Sequence, residues 1–301
     1  MLQSFDERNR DLIVNVAGAL VHRDRAGISP FDSVVQGGDA VWEGLRVHGG
    51  RIFRLDEHLA RLRRSAHALG FVEVPSDEEL TTEIRRTLAA NEMTDGVHVR
   101  LTLTRGVKFT SGMDPRLNQS GPTLVVVAEH KAPVYDASGI TLITSSVRRS
   151  APDSLDPKIH HNNLLTSILA KIEANVAGAD DAVMLDDRGL LAETNATNVF
   201  FAVDGEIRTP TTRACPEGIT RATVLELCAS EGIRVQVGDW SLTDLYTSDE
   251  AFVSGTMGGL IPVIEVDGRR IGRGAGPLTG RLRAAYATLT ASSGTPVSAP
   301  S

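Results

Sequence analysis

The sequence predicts a two-domain α+β protein, and three observations carry that prediction. At 301 residues the chain is long enough for two ordinary domains. Its first part alternates strand-like and helical stretches, with strands joined by tight Gly turns in the antiparallel manner. The segment His130-Lys-Ala-Pro-Val-Tyr-Asp136 then breaks the apolar periodicity with proline and polar residues, as a linker does. The expected organisation is a small α+β domain over 1–130, a linker over 131–136, a large domain over 137–291, and a disordered Ser/Pro/Gly-rich tail over 292–301.

Each element has its own warrant. Leu12-Ile-Val-Asn-Val16, Ala40 to Val47 and Arg51 to Arg54 read as strands, with His48-Gly-Gly50 as a hairpin turn. Asp56 is the expected cap of a helix over Glu57 to Leu69, with Leu59, Leu62 and Ala66 on one face. Ser76-Asp-Glu-Glu79 has the pattern of a capping box and opens a helix to about Asn91. Val97 to Thr104 alternates as a half-buried strand, and Thr123 to Ala128 reads as a buried one. In the large domain, strands are expected at Ile140 to Ser145, Asp181 to Leu185, Asn198 to Val203, Ile233 to Val237 and Ala251 to Ser254. Asp204-Gly205 and Asp267-Gly268 mark hairpins. Helices are expected over Asn163 to Val176, with Leu164, Leu165, Ile168, Leu169 and Ile172 as an apolar stripe, over Thr220 to Ser230, and over Pro277 to Leu289.

Composition narrows the function. Hydrophobic content of 41% and charged content of 23% are those of a soluble globular protein, and no apolar run is long enough to span a membrane. No basic stretch leading into an apolar one opens the chain, so no secretion signal is read. A net charge of −7 disfavours nucleic acid as a partner. Cys215 and Cys228 have no paired partners in sequence, which points to the cytoplasm and against a disulfide framework or zinc site.

The residues with chemistry to offer are few. The chain has only four lysines, Lys108, Lys131, Lys158 and Lys171. Lys158 stands in Asp156-Pro-Lys-Ile-His-His-Asn-Asn163, on a stiffened loop before a helix, where it is either an imine-forming amine or a surface lysine. Glu193 is a candidate partner for a protonated ring nitrogen, against an ordinary strand-end glutamate. Ile219 and Thr220 follow Gly218 at a helix start, where amides and helix dipole favour an anion. Thr256 follows Ser254-Gly255 and has a hydroxyl for the same anion. Arg61 is either an anion ligand or part of a solvated arginine-rich face. Arg100 and Arg105 are candidates to clamp a carboxylate. His160 and His161 lack a carboxylate at ligand spacing, so no metal is expected. An amine, a carboxylate and anion-binding turns are together what pyridoxal phosphate requires.

The motifs Trp42-Glu-Gly-Leu-Arg46, Arg54-Leu-Asp-Glu-His-Leu-Ala-Arg61, Leu169-Ala-Lys-Ile-Glu-Ala174, Glu193-Thr-Asn-Ala-Thr-Asn198, Pro216-Glu-Gly-Ile-Thr-Arg221 and Ser254-Gly-Thr256 occur in this order. In them the chain resembles the fold-type IV pyridoxal phosphate aminotransferases, from about Trp42 to Leu289. The resemblance implies a large domain with a barrel-like β core, pyridoxal 5′-phosphate as cofactor, and Lys158 as the catalytic lysine. It implies Glu193 at the ring nitrogen, with Arg61, Asn198, Ile219, Thr220 and Thr256 as further cofactor ligands. Trp42, Arg46, Arg100, Arg105, Met257 and Gly258 become candidates for the substrate wall. Family members commonly carry their lysine two residues nearer the following helix, a register that falls here on His160. Histidine forms no imine, so the segment reads as a two-residue insertion. The tyrosine often found at the start of that helix is also missing, with Leu164 nearest. The Lys-Ile-His-His-Asn-Asn run resembles a subgroup near the D-amino acid aminotransferases. The implied activity is therefore transamination between a D-amino acid or (R)-amine and a 2-keto acid, in a homodimer. L-branched-chain transamination, a carbon–carbon lyase and a non-catalytic cofactor protein are the alternatives.

Overall fold

The computed structural model describes residues 3–272 and 274–298. The chain divides into two compact units. One contains the residues up to Ala132, Ile159–Asn163 and the stretch from Thr290; the other contains Pro133–Lys158 and Leu164–Leu289.

The smaller unit contains β1 (Ile13–Val16), β2 (Ala19–His22), α1 (Ser33–Gly37), β3 (Ala40–His48), β4 (Arg51–Ile52), α2 (Leu55–Ala68), α3 (Asp77–Ala90), β5 (Val97–Thr104) and β6 (Thr123–His130). Its sheet runs β4-β3-β5-β6-β1-β2 and is antiparallel throughout. The period of two in β5 puts Val97, Val99, Leu101 and Leu103 on one face, against Leu55, Leu59 and Leu62 of α2 and Leu80, Ile84 and Leu88 of α3. The expected capping box at Ser76 and Glu79 is formed. The expected cap at Asp56 is not. α2 starts earlier, behind Arg54, which turns the chain with a left-handed φ of 52° and offers no side-chain cap. Asp56 and Glu57 lie instead in the first turn, where they favour the helix dipole.

The other unit contains β7 (Ile140–Thr144), α4 (Leu165–Ala177), β8 (Asp181–Leu185), β9 (Leu191–Thr194), β10 (Asn198–Val203), β11 (Glu206–Pro210), α5 (Ile219–Ser230), β12 (Val235–Gly238), α6 (Leu242–Tyr246), β13 (Glu250–Gly255), β14 (Gly259–Val266), β15 (Arg269–Arg270) and most of α7 (Pro277–Ser292). Its sheet runs β12-β11-β10-β13-β14-β7-β8-β9, with β15 paired to β14. The terminal strand β9 is tied to β10 by a tight turn, Thr194 N to Thr197 O at 2.8 Å, so the sheet folds back on itself as a barrel-like core. One face packs Leu142, Val183, Val199, Phe201, Val253 and Val263 together; on the other, Phe200 and Phe252 stack at 4.9 Å.

Two expectations are corrected here. The apolar stripe of α4 is not its core face: Leu165, Ile168, Leu169 and Ile172 are each at least 50% exposed, and the helix meets β8 through Ala170 and Ala174. Small side chains let the backbone approach the sheet and push the large ones outward. The tail is not wholly disordered either. Thr295–Pro296 forms β16 and pairs with β4. Residues 299–301 of that tail lie outside the described residues.

Candidate active site

In the larger unit the site residues converge on Asn198. It opens β10, pairs with Ser254 of β13, and its Nδ2 lies 3.5 Å from Glu193 Oε2 at the end of β9. A Cβ placed on Gly218 would stand 2.0 Å from Asn198 Oδ1, so only glycine lets the start of α5 approach this closely. Asn198 thus joins the carboxylate, the helix start and the β13 end.

Each part has a defined chemistry. Gly218 is the N-cap of α5 and brings no side-chain cap, so the first amides, at Ile219, Thr220 and Arg221, face outward with the helix dipole behind them. Thr220 is buried beside them. Ser254 Oγ is buried with no hydrogen-bond partner among the described residues, as is Arg221 Nε. Thr256, Met257 and Gly258 form the turn between β13 and β14, closed by the Gly255–Gly259 pair. Glu193 is buried, and Arg149 Nη2 meets its Oε1 at 2.7 Å. Arg149 itself is steadied by Ser167 Oγ at 3.0 Å and the Ala214 carbonyl at 3.4 Å. Burial and the nearby Glu193 charge push the Cys215 thiol up to about 12, which leaves it protonated and inert. Lys158 lies on the turn that ends the first stretch of this unit, Pro133–Lys158. It is exposed; its backbone amide donates to Asp156 Oδ1 at 3.0 Å, while its ammonium has no partner among the described residues.

The smaller unit holds a second cluster. Glu43 is fully buried on β3, among positions otherwise held by Val41, Leu45 and Val47. Arg61 donates to both its oxygens, Nε to Oε1 at 2.8 Å and Nη2 to Oε2 at 2.6 Å. His58 Nδ1 donates to Oε2 at 2.6 Å, and His160 Nδ1 is 3.5 Å from Oε1. Burial alone would raise the Glu43 pKa, but Arg61 and His160 outweigh it and hold the carboxyl well below its usual range. For His160 burial dominates, followed by the Arg61 charge, and together they lower the imidazole's pKa from its ordinary value. Its ring stacks on Trp42 with centroids 4.3 Å apart. The Arg100 guanidinium lies over the Trp42 ring, 3.5 Å from the centroid, and donates to Asn162 Oδ1 at 3.1 Å.

The sequence-derived residues therefore fall into two groups. Glu193, Asn198, Ile219, Thr220, Thr256, Met257 and Gly258 belong to the larger unit with Lys158, and Trp42, Arg61 and Arg100 share a cluster in the smaller one. Arg46 is buried and donates to the Lys131 carbonyl at 2.7 Å. Arg105 is committed to structure: its fork grips Asp39, reaches the Leu69 and Gly70 carbonyls, and covers Phe71. Sequence reasoning missed Arg149, Glu43, His58 and Ser254. Glu43 and His58 lie inside motifs quoted for their neighbours, whereas nothing local marks Arg149. Among the described residues there is no group of His, Cys, Asp or Glu able to hold a metal.

A barrel-like domain with an uncapped helix start, an unpartnered buried hydroxyl and an arginine-held carboxylate defines a site for a phosphorylated, cationic-ring cofactor. The profile of the amino-transferase class IV family matches residues 40–266, and the chain belongs to that family. Pyridoxal 5′-phosphate is its cofactor, and the residues fit it: the α5 start and Ser254 suit the phosphate, and Glu193 suits the ring nitrogen. The chain is 53% identical over 291 residues, 96% of its length, to branched-chain-amino-acid aminotransferase-like protein 2 of Arabidopsis thaliana. It spans about half of that relative, 52%. It is 40% identical to the putative branched-chain-amino-acid aminotransferase of Methanocaldococcus jannaschii, covering 88% of this chain and 92% of that protein. It is 33% identical to D-alanine aminotransferase of Bacillus licheniformis, over 89% of this chain and 93% of the other. Among solved structures, the branched-chain aminotransferase of Thermoproteus uzoniensis with norvaline superposes with a TM-score of 0.87 at 27% identity, covering 93% and 95% of the two chains.

Proposed function

We propose that the protein is a transaminase that moves the amino group of an L-branched-chain amino acid to a 2-keto acid by a ping-pong mechanism. The observation that carries the substrate class is that the relative matched over nearly its whole length at 40% identity is named for branched-chain amino acids. The Lys158-to-Asn163 run points instead to D-amino acids or (R)-amines, and D-alanine aminotransferase, at 33% identity, keeps that as the second reading.

When bound, pyridoxal phosphate supplies an electrophilic aldehyde and an electron-withdrawing ring. Lys158, whose side chain has no partner among the described residues, would hold the aldehyde and then carry the proton from the donor's Cα. Glu193, ion-paired with Arg149, would face the ring nitrogen and favour its protonated form. The α5 amides and the hydroxyls of Ser254 and Thr256 orient the phosphate. Within the smaller unit, the Arg100–Trp42 stack offers a guanidinium and an aromatic face, groups chemically suited to a carboxylate with an apolar chain.

We also infer a homodimer in the cytoplasm. The outward apolar stripe of α4 supports the first, and two buried free thiols agree with the second. The deciding experiment follows the cofactor's absorbance while L-leucine, D-alanine and (R)-1-phenylethylamine are added in parallel. Bleaching by L-leucine is the expected result. Bleaching by D-alanine alone would install the second reading, and no response to any amine would remove the transaminase assignment.

A further inference from the structure

Among the described residues Lys158 is held only through its backbone amide, but the residues just after it are held tightly. Ile159–Asn163 lies along the free edge of β3 as an added strand. Trp42 N donates to the His160 carbonyl at 3.0 Å, Asn162 N donates to the Ala40 carbonyl at 2.9 Å, and Val41 and His161 form an antiparallel bridge. Asn163 Nδ2 reaches the Gly38 carbonyl at 3.2 Å. His160 is the most heavily fixed of the five. Its backbone amide donates to Ser65 Oγ at 3.0 Å, and its Nδ1 donates to the Trp42 carbonyl at 2.5 Å. Its ring lies on Trp42, and Glu43 stands beside its Nδ1.

Two residues of chain span at most about 7 Å. The anchor at His160 therefore limits where the Lys158 backbone can stand, and among the described residues no contact of the ammonium does so. A lysine that must meet both a cofactor aldehyde and a substrate proton needs such a limit, because a misplacement of about 1 Å can lower a rate by about 100-fold.

We propose that His160 is the positioning residue of Lys158: its ring, set against Trp42 and Glu43, fastens the strap that follows the reactive lysine. This inference rests on the transaminase reading. His160 carries no proton in the reaction and touches no substrate; it acts through the chain. Its neutral Nδ1–H tautomer is the one that donates to a carbonyl, and both the stack and the hydrogen bond contribute to the hold.

Three variants separate positioning from mere support of the fold. His160→Ala removes both contacts. His160→Asn retains a donor near the place of Nδ1 and loses the stack, and His160→Phe retains the stack and loses the donor. Pyridoxal phosphate is added to cofactor-free protein, and borohydride, delivering hydride to the C=N carbon, fixes the link to Lys158 for counting by peptide mass. The expected result for His160→Ala is slower link formation and a kcat lower by roughly 10- to 100-fold, with the KM of the amino donor little changed. Asn and Phe should each restore part of both rates. A folded His160→Ala protein that links at the wild-type rate with wild-type kcat would overturn the inference. So would a kcat loss not accompanied by slower linking. If His160→Ala does not fold, the Asn and Phe proteins decide on the same two rates. Absence of the link in the wild-type protein is a different failure, since it removes the transaminase reading and this inference with it.

Discussion

Glu43→Gln tests the buried cluster most directly. The Glu43 side chain has no solvent exposure, and that of Arg61 has 7%. The carboxylate takes two hydrogen bonds from Arg61 and one from His58. Removing one partner of a buried ion pair costs about 3–5 kcal/mol, because the other charge stays in a poorly solvating interior. Glutamine keeps one acceptor oxygen, so the expected loss is about 3 kcal/mol, or a fall of about 6–12 °C in the melting temperature at about 2–4 °C per kcal/mol. Calorimetry and urea unfolding would measure it. The pH profile adds a signature. The folded pKa of Glu43 lies well below its ordinary value of 4.5, so its contribution is full above that value and is lost as pH falls through the depressed one. Glu43→Gln should lack that part of the acid limb. The pair Glu43→Leu with Arg61→Met should be more stable than Glu43→Leu alone, since it strands no charge. A loss below about 1 kcal/mol for Glu43→Gln, or a double variant no better than the single, would refute the reasoning.

Three further outcomes follow from single contacts. Gly218→Ala puts a methyl 2.0 Å from Asn198 Oδ1, and moving the α5 start to relieve it should weaken pyridoxal phosphate binding by roughly tenfold in an absorbance titration; unchanged binding would place the phosphate elsewhere. Replacing Ile168 and Ile172 with Asp on the exposed face of α4 should raise the dimer dissociation constant in analytical ultracentrifugation, and an unchanged constant would show that another surface pairs the chains. His98 is driven down to about 3 by burial and by the Lys131, Arg100 and Arg46 charges, and its Nδ1 has no partner among the described residues. The unfolded chain then binds the extra proton between about 6.5 and about 3, so stability contributed by neutral His98 is full above about 6.5 and declines as pH falls through that window. His98→Gln should flatten that decline in urea titrations at stepped pH, and an unchanged slope would show that His98 is protonated in the folded state.

Legibility in the sequence tracked the range of the interaction. Short-range rules found the Ser76 capping box, the alternation of β5 and the Asp204-Gly205 hairpin, because each depends on neighbours within a few residues. Arg54 escaped them: its left-handed turn before α2 suits no local preference of arginine. In the site, Gly218 at a helix start and Glu193 at a strand end were readable. Arg149 was not, since it lies far from Glu193 in the chain, and only the pairing of β7 with β8 and β8 with β9 brings them together. Arg105 shows the converse failure. A strand-end arginine looks the same in sequence whether it faces a substrate or, as here, Asp39.

α4 marks a limit of a different kind. An apolar stripe states how much surface avoids water and not what covers it. Ala170 and Ala174 meet the sheet, while Leu165, Ile168, Leu169, Ile172 and Val176 remain 50–85% exposed. Full burial of such side chains is worth about 1.5–3 kcal/mol each, and less here because each is already partly covered. The stripe from two copies then yields a gross gain of the same order as the roughly 4–15 kcal/mol that association costs. α4 alone would give a weak dimer, so a stable one must bury further surface. Phe31, Val35, Phe109 and Met113 form a second exposed apolar group, 46–98% accessible, around α1 and the loop that pairs Lys108 N with the Phe31 carbonyl. If both surfaces are used, Asp at Ile168 and Ile172 should raise the dimer dissociation constant in steps, and adding Met113→Asp should complete the separation. A protein that stays dimeric with all three changes would leave the α4 stripe without the partner that its exposure calls for.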